Sequence, residues 1–269
     1  MNKEEIKKFY SEYADKIQEK RLKSPYVLRR YLHEQTYFTN LKYIKSGQNV
    51  LEVGCGEGIL AILMAKKGAI VTATDISEKN LEAAKKLAIK EGVKIEFLKV
   101  DAENLPFKED FFDVVVADNV LEHLPDFEKG LSEIKRVTKK NAVIALPTSF
   151  NLCAFAFLGG DVYWKITRRT PYALFWGFLR FFGNLILGRE GIDENYAGEK
   201  DLPHLWRYPW KMKKALSKAG FKIISFEAAS LCFPYFGFLL PIIKFFDKYK
   251  DKPILKNLGC GSVAFVEKN

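Results

Sequence analysis

Residues 49–75 constrain the fold of this 269-residue chain more than any other segment. A short apolar run around Leu51 has the composition of a strand buried in a parallel sheet. Three glycines follow at once, at positions 54, 56 and 58, and residues 59–67 have the apolar periodicity of a helix. A second apolar run starts at Ile70 and ends in Asp75. Strand, glycine turn, helix, strand and acid in this order predict a βαβ unit that binds a nucleoside.

The details of this unit distinguish its ligand. A nicotinamide dinucleotide fingerprint has glycine at its first, third and sixth positions, but the sixth position here is Ile59. Glu52 stands two residues before Gly54, at the end of the strand, where its carboxylate would repel a pyrophosphate. S-adenosylmethionine suits this position because it carries an ammonium and a sulfonium and no phosphate. Asp75 follows Gly54 by 21 residues, near the separation of about 20 expected of an acid that binds ribose hydroxyls.

Four ordered motifs resemble the class I S-adenosylmethionine-dependent methyltransferases. They are EVGCGEG at 52–58, TDIS at 74–77, VDAENLPF at 100–107 and FDVVVADNVLEHL at 112–124. The nearest branch is the one that acts on small molecules and includes ubiquinone and menaquinone biosynthesis enzymes. The resemblance is strong over residues 41–148 and weaker over residues 202–221.

The resemblance implies an α/β fold with a Rossmann-like, doubly wound sheet of seven strands. The sheet would be mostly parallel, with an antiparallel last strand. To this core the sequence adds a helical N-terminal segment and a hydrophobic helical insertion after the fifth strand.

The resemblance also implies which residues hold S-adenosylmethionine and its product S-adenosylhomocysteine. The Asp101 side chain would accept from the exocyclic amine of adenine, and the backbone amide of Ala102 would meet a ring nitrogen. The loop that begins at Asp118 would lie beside the methionine part of the cofactor. The predicted cofactor-binding residues are Glu52, Gly54, Cys55, Gly56, Gly58, Asp75, Ile76, Asp101, Ala102, Asp118, Asn119, Val120 and Tyr13.

Two histidines are candidates for a catalytic general base. His123 lies in the loop after the fourth strand, and His204 opens a segment that resembles the one before the penultimate strand. An imidazole can exchange a proton near neutral pH, although His123 could equally hold its loop by hydrogen bonds. The predicted substrate-side residues are His33, Arg207 and Tyr208, and Arg207 could equally brace a loop.

The chain divides into four predicted parts. Residues 1–45 form two helices that cover cofactor or substrate, and residues 46–149 form the cofactor-binding core. Residues 150–200 form the hydrophobic helical insertion. Residues 201–269 return to the core and carry an apolar insertion at 231–258.

The hydrophobic insertion allows three interpretations. It is not expected to span a bilayer, because charges and prolines interrupt it before about 20 apolar residues accumulate. It could be a lid that gives an apolar acceptor a dry wall. It could also be an interfacial element whose Phe, Trp and Leu enter a membrane while its arginines meet lipid phosphates. The third interpretation is a larger soluble core or a dimer interface.

The formal net charge of +10 indicates an anionic partner such as a membrane surface, a nucleic acid or an acidic substrate, or a solvated lysine-rich surface. Nucleic acid fits less well, because the aromatic residues of the insertion alternate with aliphatic rather than basic ones. The four cysteines have no CxxC spacing and no accompanying histidine cluster, so no metal is expected. The charged, helical start predicts no signal peptide and a cytoplasmic protein. The net charge and the insertion would allow peripheral contact at the inner face of a membrane.

These features predict an S-adenosylmethionine-dependent methyltransferase. It would transfer a methyl group by in-line displacement to an apolar small molecule or a lipid, such as an isoprenoid or quinone-like acceptor. The alternatives are a nucleic-acid methyltransferase and a non-catalytic, cofactor-binding protein associated with a membrane. The sequence leaves the oligomeric state open.

Overall fold

The computed structural model describes residues 26–148, 150, 166–193, 204–232 and 236–269. Its strands are β1 (Asn49–Val53), β2 (Ile70–Asp75), β3 (Glu96–Lys99), β4 (Phe112–Asp118), β5 (Thr138–Pro147), β6 (Gly191–Asp193), β7 (His204–Trp206), β8 (Phe221–Ala228) and β9 (Gly261–Lys268). The helices in these residues are α1 (Val27–Leu41), α2 (Ile59–Lys66), α3 (Glu78–Lys90), α4 (Phe127–Val137), α5 (Thr170–Ile186), α6 (Pro209–Lys218) and α7 (Leu240–Asp247).

Seven of the strands form one sheet in the order β3-β2-β1-β4-β5-β9-β8, and β6 and β7 form a separate hairpin. The pairs β2–β3, β1–β2, β1–β4 and β4–β5 are parallel, whereas β9 runs antiparallel to both of its neighbours. The predicted fold, a mostly parallel seven-stranded sheet with an antiparallel last strand, is therefore confirmed. The strand order reverses at β1 and β4, and open α/β sheets bind ligands beyond the carboxyl ends of the strands at such a point.

The helix starts follow from local capping chemistry. Ser77 precedes α3 and its hydroxyl accepts from the backbone N–H of Asn80 at 3.3 Å, as its position in the sequence predicts. Asp126 precedes α4 in the same way and accepts from the backbone N–H of Lys129 at 3.0 Å. Strand β5 begins with four polar residues, so its start carries no apolar signal in the sequence.

Helices cover both faces of the sheet. On one face, α4 and α6 bury Leu131, Ile134 and Met212 against strands that include β4 and β5. On the other face, α2 buries Leu60 and Met64 in a second cluster. The two inner strands β1 and β4 are buried on both sides, which is why their sequences are nearly continuous apolar runs.

A buried polar network holds α1 and the segment after α7 against the end of β8. The ammonium of Lys250, 7% exposed, donates to the Thr39 hydroxyl at 2.6 Å and to the Ala229 carbonyl at 2.7 Å. Nearby, the buried carboxylate of Glu227 accepts from Lys42 at 2.6 Å and from the Tyr43 hydroxyl at 2.9 Å. Burial lowers the pKa of Lys250 from 10.5 to about 8, because the charged ammonium is removed from water.

Several sequence predictions fall on residues that the structure does not describe. The first predicted N-terminal helix, with Tyr13, lies outside the described residues. The hydrophobic insertion is described only at residue 150 and over residues 166–193. Within the described part of the chain, no helix combines the length and the apolar character needed to cross a membrane.

Candidate active site

The turn between β1 and α2 is built around glycines in left-handed conformations. Gly54 has φ +67°, and a Cβ placed on it would lie 2.5 Å from Cγ2 of Val120. Gly58 has φ +75°, and its Cβ would lie 2.7 Å from the Cβ of Ala84. A side chain at either position would therefore be both strained and overlapping. The close approach of Gly54 and Val120 brings the loop after β4 onto the glycine turn.

Asp75 fastens this turn from the end of β2. One carboxylate oxygen, Oδ2, accepts from the backbone N–H of Gly56 at 2.8 Å. The other, Oδ1, accepts from the backbone N–H of Ser77 at 2.8 Å and from the Asn80 side-chain amide at 3.2 Å. Burial raises the pKa of Asp75, and these hydrogen bonds to the charged form oppose that rise.

Glu52 is the most unusual charged residue of the site. It lies on β1, is only 3% exposed, and its Oε2 has no hydrogen-bond partner among the described residues. Burial raises its pKa well above the ordinary value, and the negative charges of Asp118 and Asp75 raise it further. A buried carboxylate oxygen without a donor is costly in a folded protein unless a ligand supplies that donor.

A cavity opens at the carboxyl ends of β1 and β4. It is lined by Tyr37, Glu52, Gly54, Cys55, Glu57, Ile59, Leu60 and Asp118. Four of the predicted cofactor residues, Glu52, Gly54, Cys55 and Asp118, thus share one wall. Burial, followed by the charge of Glu52, raises the pKa of the Cys55 thiol, so this residue packs as a neutral side chain.

Sequence reasoning missed Tyr37 and Glu57 as cavity residues. Glu57 lies within the glycine motif, so its position in the turn was the available signal. Tyr37 comes from α1, and its ring stacks on His33 with centroids 6.5 Å apart. The predicted substrate-side residue His33 therefore contacts a residue of the cavity lining and is not itself part of that lining.

The segment after β3 is stabilised by its own side chains. Asp101 Oδ1 accepts from the backbone N–H of Glu103 at 2.9 Å, which fixes a turn around Ala102. Glu103 Oε1 in turn accepts from the backbone N–H of Asp126 at 3.0 Å, just before α4. Asp101 follows the end of β3 by two residues, and Asp75 is the last residue of the neighbouring β2. Ile76 follows Asp75 directly.

The loop after β4 combines a strained residue with a candidate base. Asn119 has φ +55°, and its side-chain amide donates to Asp118 Oδ1 at 3.1 Å. A short 3-10 turn follows over Leu121–His123. The buried carboxylate of Glu122 has Oε1 3.7 Å from Nε2 of His123, so an acid lies beside the imidazole.

The hairpin strand β7 packs against this turn and brings the two histidine segments together. Arg207 follows β7, with its guanidinium 3.8 Å from the ring centroid of Phe127 and 3.4 Å from Glu190 Oε2. Tyr208 is 1% exposed and stacks on Trp210 at 4.6 Å. The backbone of His204 lies in β7, and its side chain is outside the described residues.

A metal site would require several ligating side chains close together. The described residues contain no group of three or more His, Cys, Asp or Glu side chains that could hold a metal ion. The polar groups that the structure describes in this region include carboxylates, backbone amides and the imidazole of His123.

A seven-stranded sheet in this order, with a glycine turn after β1 and acids at the ends of β1 and β2, defines a Rossmann-like methyltransferase fold. Comparison with known proteins agrees with that class. Residues 51–146 match a family model described as a methyltransferase domain. This segment therefore resembles a methyltransferase domain, and the chain is similar in fold to S-adenosylmethionine-dependent methyltransferases.

Among curated proteins, the chain is similar to a ubiquinone biosynthesis O-methyltransferase of Pasteurella multocida, with 36% identity over 140 residues. That match covers 47% of this chain and 58% of the relative, so the chain spans little more than half of the relative's length.

Two solved structures illustrate the range of the fold. Magnesium protoporphyrin IX methyltransferase from Synechocystis PCC 6803, with bound SAH, superposes with a TM-score of 0.61 at 16% identity, covering 100% of both chains. The cyclase SpnF superposes with a TM-score of 0.56 at 18% identity, covering 87% of this chain and 80% of SpnF. A cyclase among the neighbours means that the fold alone does not specify the reaction.

Proposed function

We propose that the protein transfers a methyl group from S-adenosylmethionine to an apolar small molecule or a lipid. The observation that carries this proposal is the buried Glu52 carboxylate, whose Oε2 lacks a donor among the described residues. It lines the cavity beside Asp118 and the glycine turn. An ammonium next to a sulfonium supplies the missing donor and offsets the negative charge, whereas a pyrophosphate would add to it.

The cofactor would lie across the carboxyl ends of three adjacent strands. Glu52 and Asp118 would face the amino-acid part of the cofactor. The backbone of the turn at Gly54 and Gly56 would pack against the cofactor, and Asp75 would accept hydrogen bonds from the ribose hydroxyls. Asp101 and Ala102 would bind the adenine at the end of β3. The residues assigned to this site are Glu52, Gly54, Cys55, Gly56, Gly58, Asp75, Ile76, Asp101, Ala102, Asp118, Asn119 and Val120, with Tyr13 as a residue of the cover.

Methyl transfer from a sulfonium does not require the protein to supply a general acid. The sulfonium leaves as a neutral thioether, so the leaving group needs no proton. The main task is to hold the acceptor atom, methyl carbon and sulfur in line, and orientation of this kind is worth about 7–11 kcal/mol. A hydroxyl acceptor would also need a base, for which His123, beside Glu122, and His204 are the candidates.

The acceptor is proposed to be apolar, of isoprenoid or quinone type. Support comes from the relative named as a ubiquinone biosynthesis O-methyltransferase and from the aromatic helix α5, which packs through Phe181 on Trp206 of β7. Residues 1–45 and 150–200 would cover the core formed by residues 46–149, and residues 201–269 would complete it. His33, Arg207 and Tyr208 would lie on the acceptor side.

The proposed location is the cytoplasm, with peripheral contact at the inner face of a membrane. The net charge of +10 suits an anionic surface. A nucleic-acid acceptor would also be attracted by the positive net charge. In that case the affinity for RNA or DNA should fall steeply as the salt concentration rises.

The test is a methyl-labelling assay with labelled S-adenosylmethionine and separate lipid, quinone and RNA extracts. Label in the lipid or quinone fraction supports the proposal, and label in RNA supports a nucleic-acid methyltransferase. Cofactor binding without label in any fraction would favour a non-catalytic protein. His123→Gln should reduce labelling without changing cofactor affinity if the acceptor is a hydroxyl.

A further inference from the structure

The outward face of α5 is apolar where a surface helix is normally polar. The residues that α5 buries are Thr170, Ala173, Gly177 and Phe181. At 3.6 residues per turn, the residues within roughly 75° of the opposite direction include Tyr172, Phe175, Trp176, Leu179 and Ile186. Their exposed fractions are 65%, 58%, 48%, 45% and 82%. A helix that is apolar all round is normally buried in protein or in a membrane, yet this helix cannot cross one.

The charged residues of α5 and of its flanking segments are all basic. Between Asp161 and Glu190 the sequence has five basic residues and no acid. Arg168 and Arg169 precede the helix, Arg180 lies at the side of the apolar face, and Arg189 follows the helix; all four are exposed. Aromatic side chains flanked by arginines suit the boundary between lipid headgroups and acyl chains. At this boundary aromatic rings insert between the lipids, and cationic side chains bind the lipid phosphates.

A second copy of the chain would fit this face less well than an anionic bilayer does. A symmetric contact would bring the same patch of both copies together, and each patch presents arginines with no acid between Asp161 and Glu190 to pair with them. An anionic bilayer satisfies both the apolar area and the charge.

The position of α5 relates this face to the cavity. The helix follows β5 and packs through Phe181 on Trp206 of β7. Strand β7 in turn lies against the turn Leu121–His123, which follows β4. The apolar face therefore belongs to the carboxyl end of the sheet, where Glu52 and Asp118 line the cavity.

We infer that the face of α5 formed by Tyr172, Phe175, Trp176, Leu179 and Ile186, with its flanking arginines, docks the protein on an anionic lipid bilayer. The helix lies in the plane of the interface and does not cross it. The docked orientation brings the carboxyl end of the sheet to the membrane, so an acceptor dissolved in the bilayer reaches the site without crossing water. This docking stands independently of methyl transfer, because vesicle binding requires neither cofactor nor acceptor.

The experiment is flotation of the full chain with vesicles of phosphatidylglycerol and phosphatidylcholine in equal amounts, and with vesicles of phosphatidylcholine alone. The protein should float with the anionic vesicles and bind the neutral ones far more weakly. Phe175→Glu with Leu179→Glu should abolish flotation. Ile89→Glu on α3, at a residue that is 79% exposed, is the matched control and should float like the wild type.

A second variant tests the charge. Arg168→Gln with Arg180→Gln should weaken binding to the anionic vesicles roughly 30-fold, since each basic residue near the surface contributes about fivefold. Melting followed by circular dichroism verifies that each variant is folded. Failure of the wild type to float, or flotation of the folded double-glutamate variant, would overturn the inference. So would a wild-type dimer that becomes a monomer in that variant, because the face would then be an interface between copies.

Discussion

The carboxylate of Asp75 accepts a hydrogen bond from the backbone N–H of Gly56 at 2.8 Å, which ties the end of β2 to the turn after β1. The same side chain holds Ser77 and Asn80 through its other oxygen. The acid that the spacing assigns to the ribose is therefore also the residue that shapes the glycine turn. Binding and loop geometry depend on one carboxylate, and its removal should affect both.

Asp75→Ala should weaken S-adenosylhomocysteine binding at least tenfold, because the ribose loses its proposed acceptor, and a hydrogen bond to a charged group is worth about 1.5–3 kcal/mol. The variant should also be less stable, because the N–H groups of Gly56 and Ser77 lose their acceptor. Asp113→Ala is the control. Asp113 accepts from the backbone N–H of Asn49 at 2.9 Å, at the start of β1 and away from the cavity. The Asp113→Ala substitution should lower the melting temperature and leave the affinity for S-adenosylhomocysteine, measured by calorimetry, unchanged. Equal affinity losses in both variants would contradict the assignment.

Glu52→Gln should change stability and affinity in opposite directions. The folded pKa of Glu52 lies above its unfolded value, mainly because of burial. The stability of the protein therefore falls as the pH rises from the unfolded pKa of Glu52 to its folded pKa, and it stays lower above that range. The variant without cofactor should melt higher at neutral pH, and it should bind S-adenosylmethionine more weakly.

The same substitution should flatten the pH dependence of binding. Wild-type affinity should rise with pH through the raised pKa of Glu52, because the cation requires the ionised acid. Calorimetric titrations at a series of pH values measure how the affinity of the wild type and that of the variant change with pH. A destabilised Glu52→Gln protein would contradict the cost assigned to the buried acid. A variant that binds as tightly as the wild type would show that Glu52 does not face the cofactor.

Gly54→Ala should lower stability and also cofactor affinity. The left-handed backbone costs about 1–2 kcal/mol for a residue with a side chain, and the new methyl would overlap Val120 and displace the loop after β4. Gly47→Ala is the matched control, because Gly47 has φ +79° with no atom near its Cβ position. Both variants should melt at lower temperature, but only Gly54→Ala should lose affinity. Loss of affinity in Gly47→Ala would point to a global effect.

The wild type should gain stability relative to Lys250→Met as the pH rises from about 8 to about 10.5. Burial lowers the pKa of Lys250 in the folded protein to about 8. The positive charge of Lys42 also lowers this pKa, whereas the negative charges of Glu227 and Asp247 raise it and so partly offset the effect of burial. The unfolded chain therefore holds the proton more tightly, and the cost of about 3 kcal/mol at lower pH disappears as the unfolded lysine deprotonates. Urea unfolding of both proteins across this range measures the change. A constant difference would mean that Lys250 titrates normally.

The core of the fold could be predicted because its signals are local. The glycine motif, the acid at position 75 and the continuous apolar run of β4 each specify an element within a few residues. The α4 boundaries follow from Asp126 as a cap and from its apolar periodicity. The hairpin β6–β7 was not predicted, since each of its strands has only three residues.

The candidate site was only partly accessible to sequence reasoning. Glu52, Gly54, Cys55 and Asp118 come from two motifs that adjacent parallel strands carry to one cavity. Tyr37 was missed because it reaches the cavity from α1, which carries none of the four motifs. The network around Lys250 was also missed. It joins residues separated by 211 positions, and a single sequence contains no signal for such a pairing.

Isothermal titration calorimetry of the full chain with S-adenosylmethionine and with NAD tests the central claim most directly. A carboxylate at the tip of β1 and a glycine turn held by Asp75 should bind the cationic nucleoside at one site and leave the dinucleotide without measurable heat. Binding of NAD, or no binding of S-adenosylmethionine by the folded protein, would contradict the account.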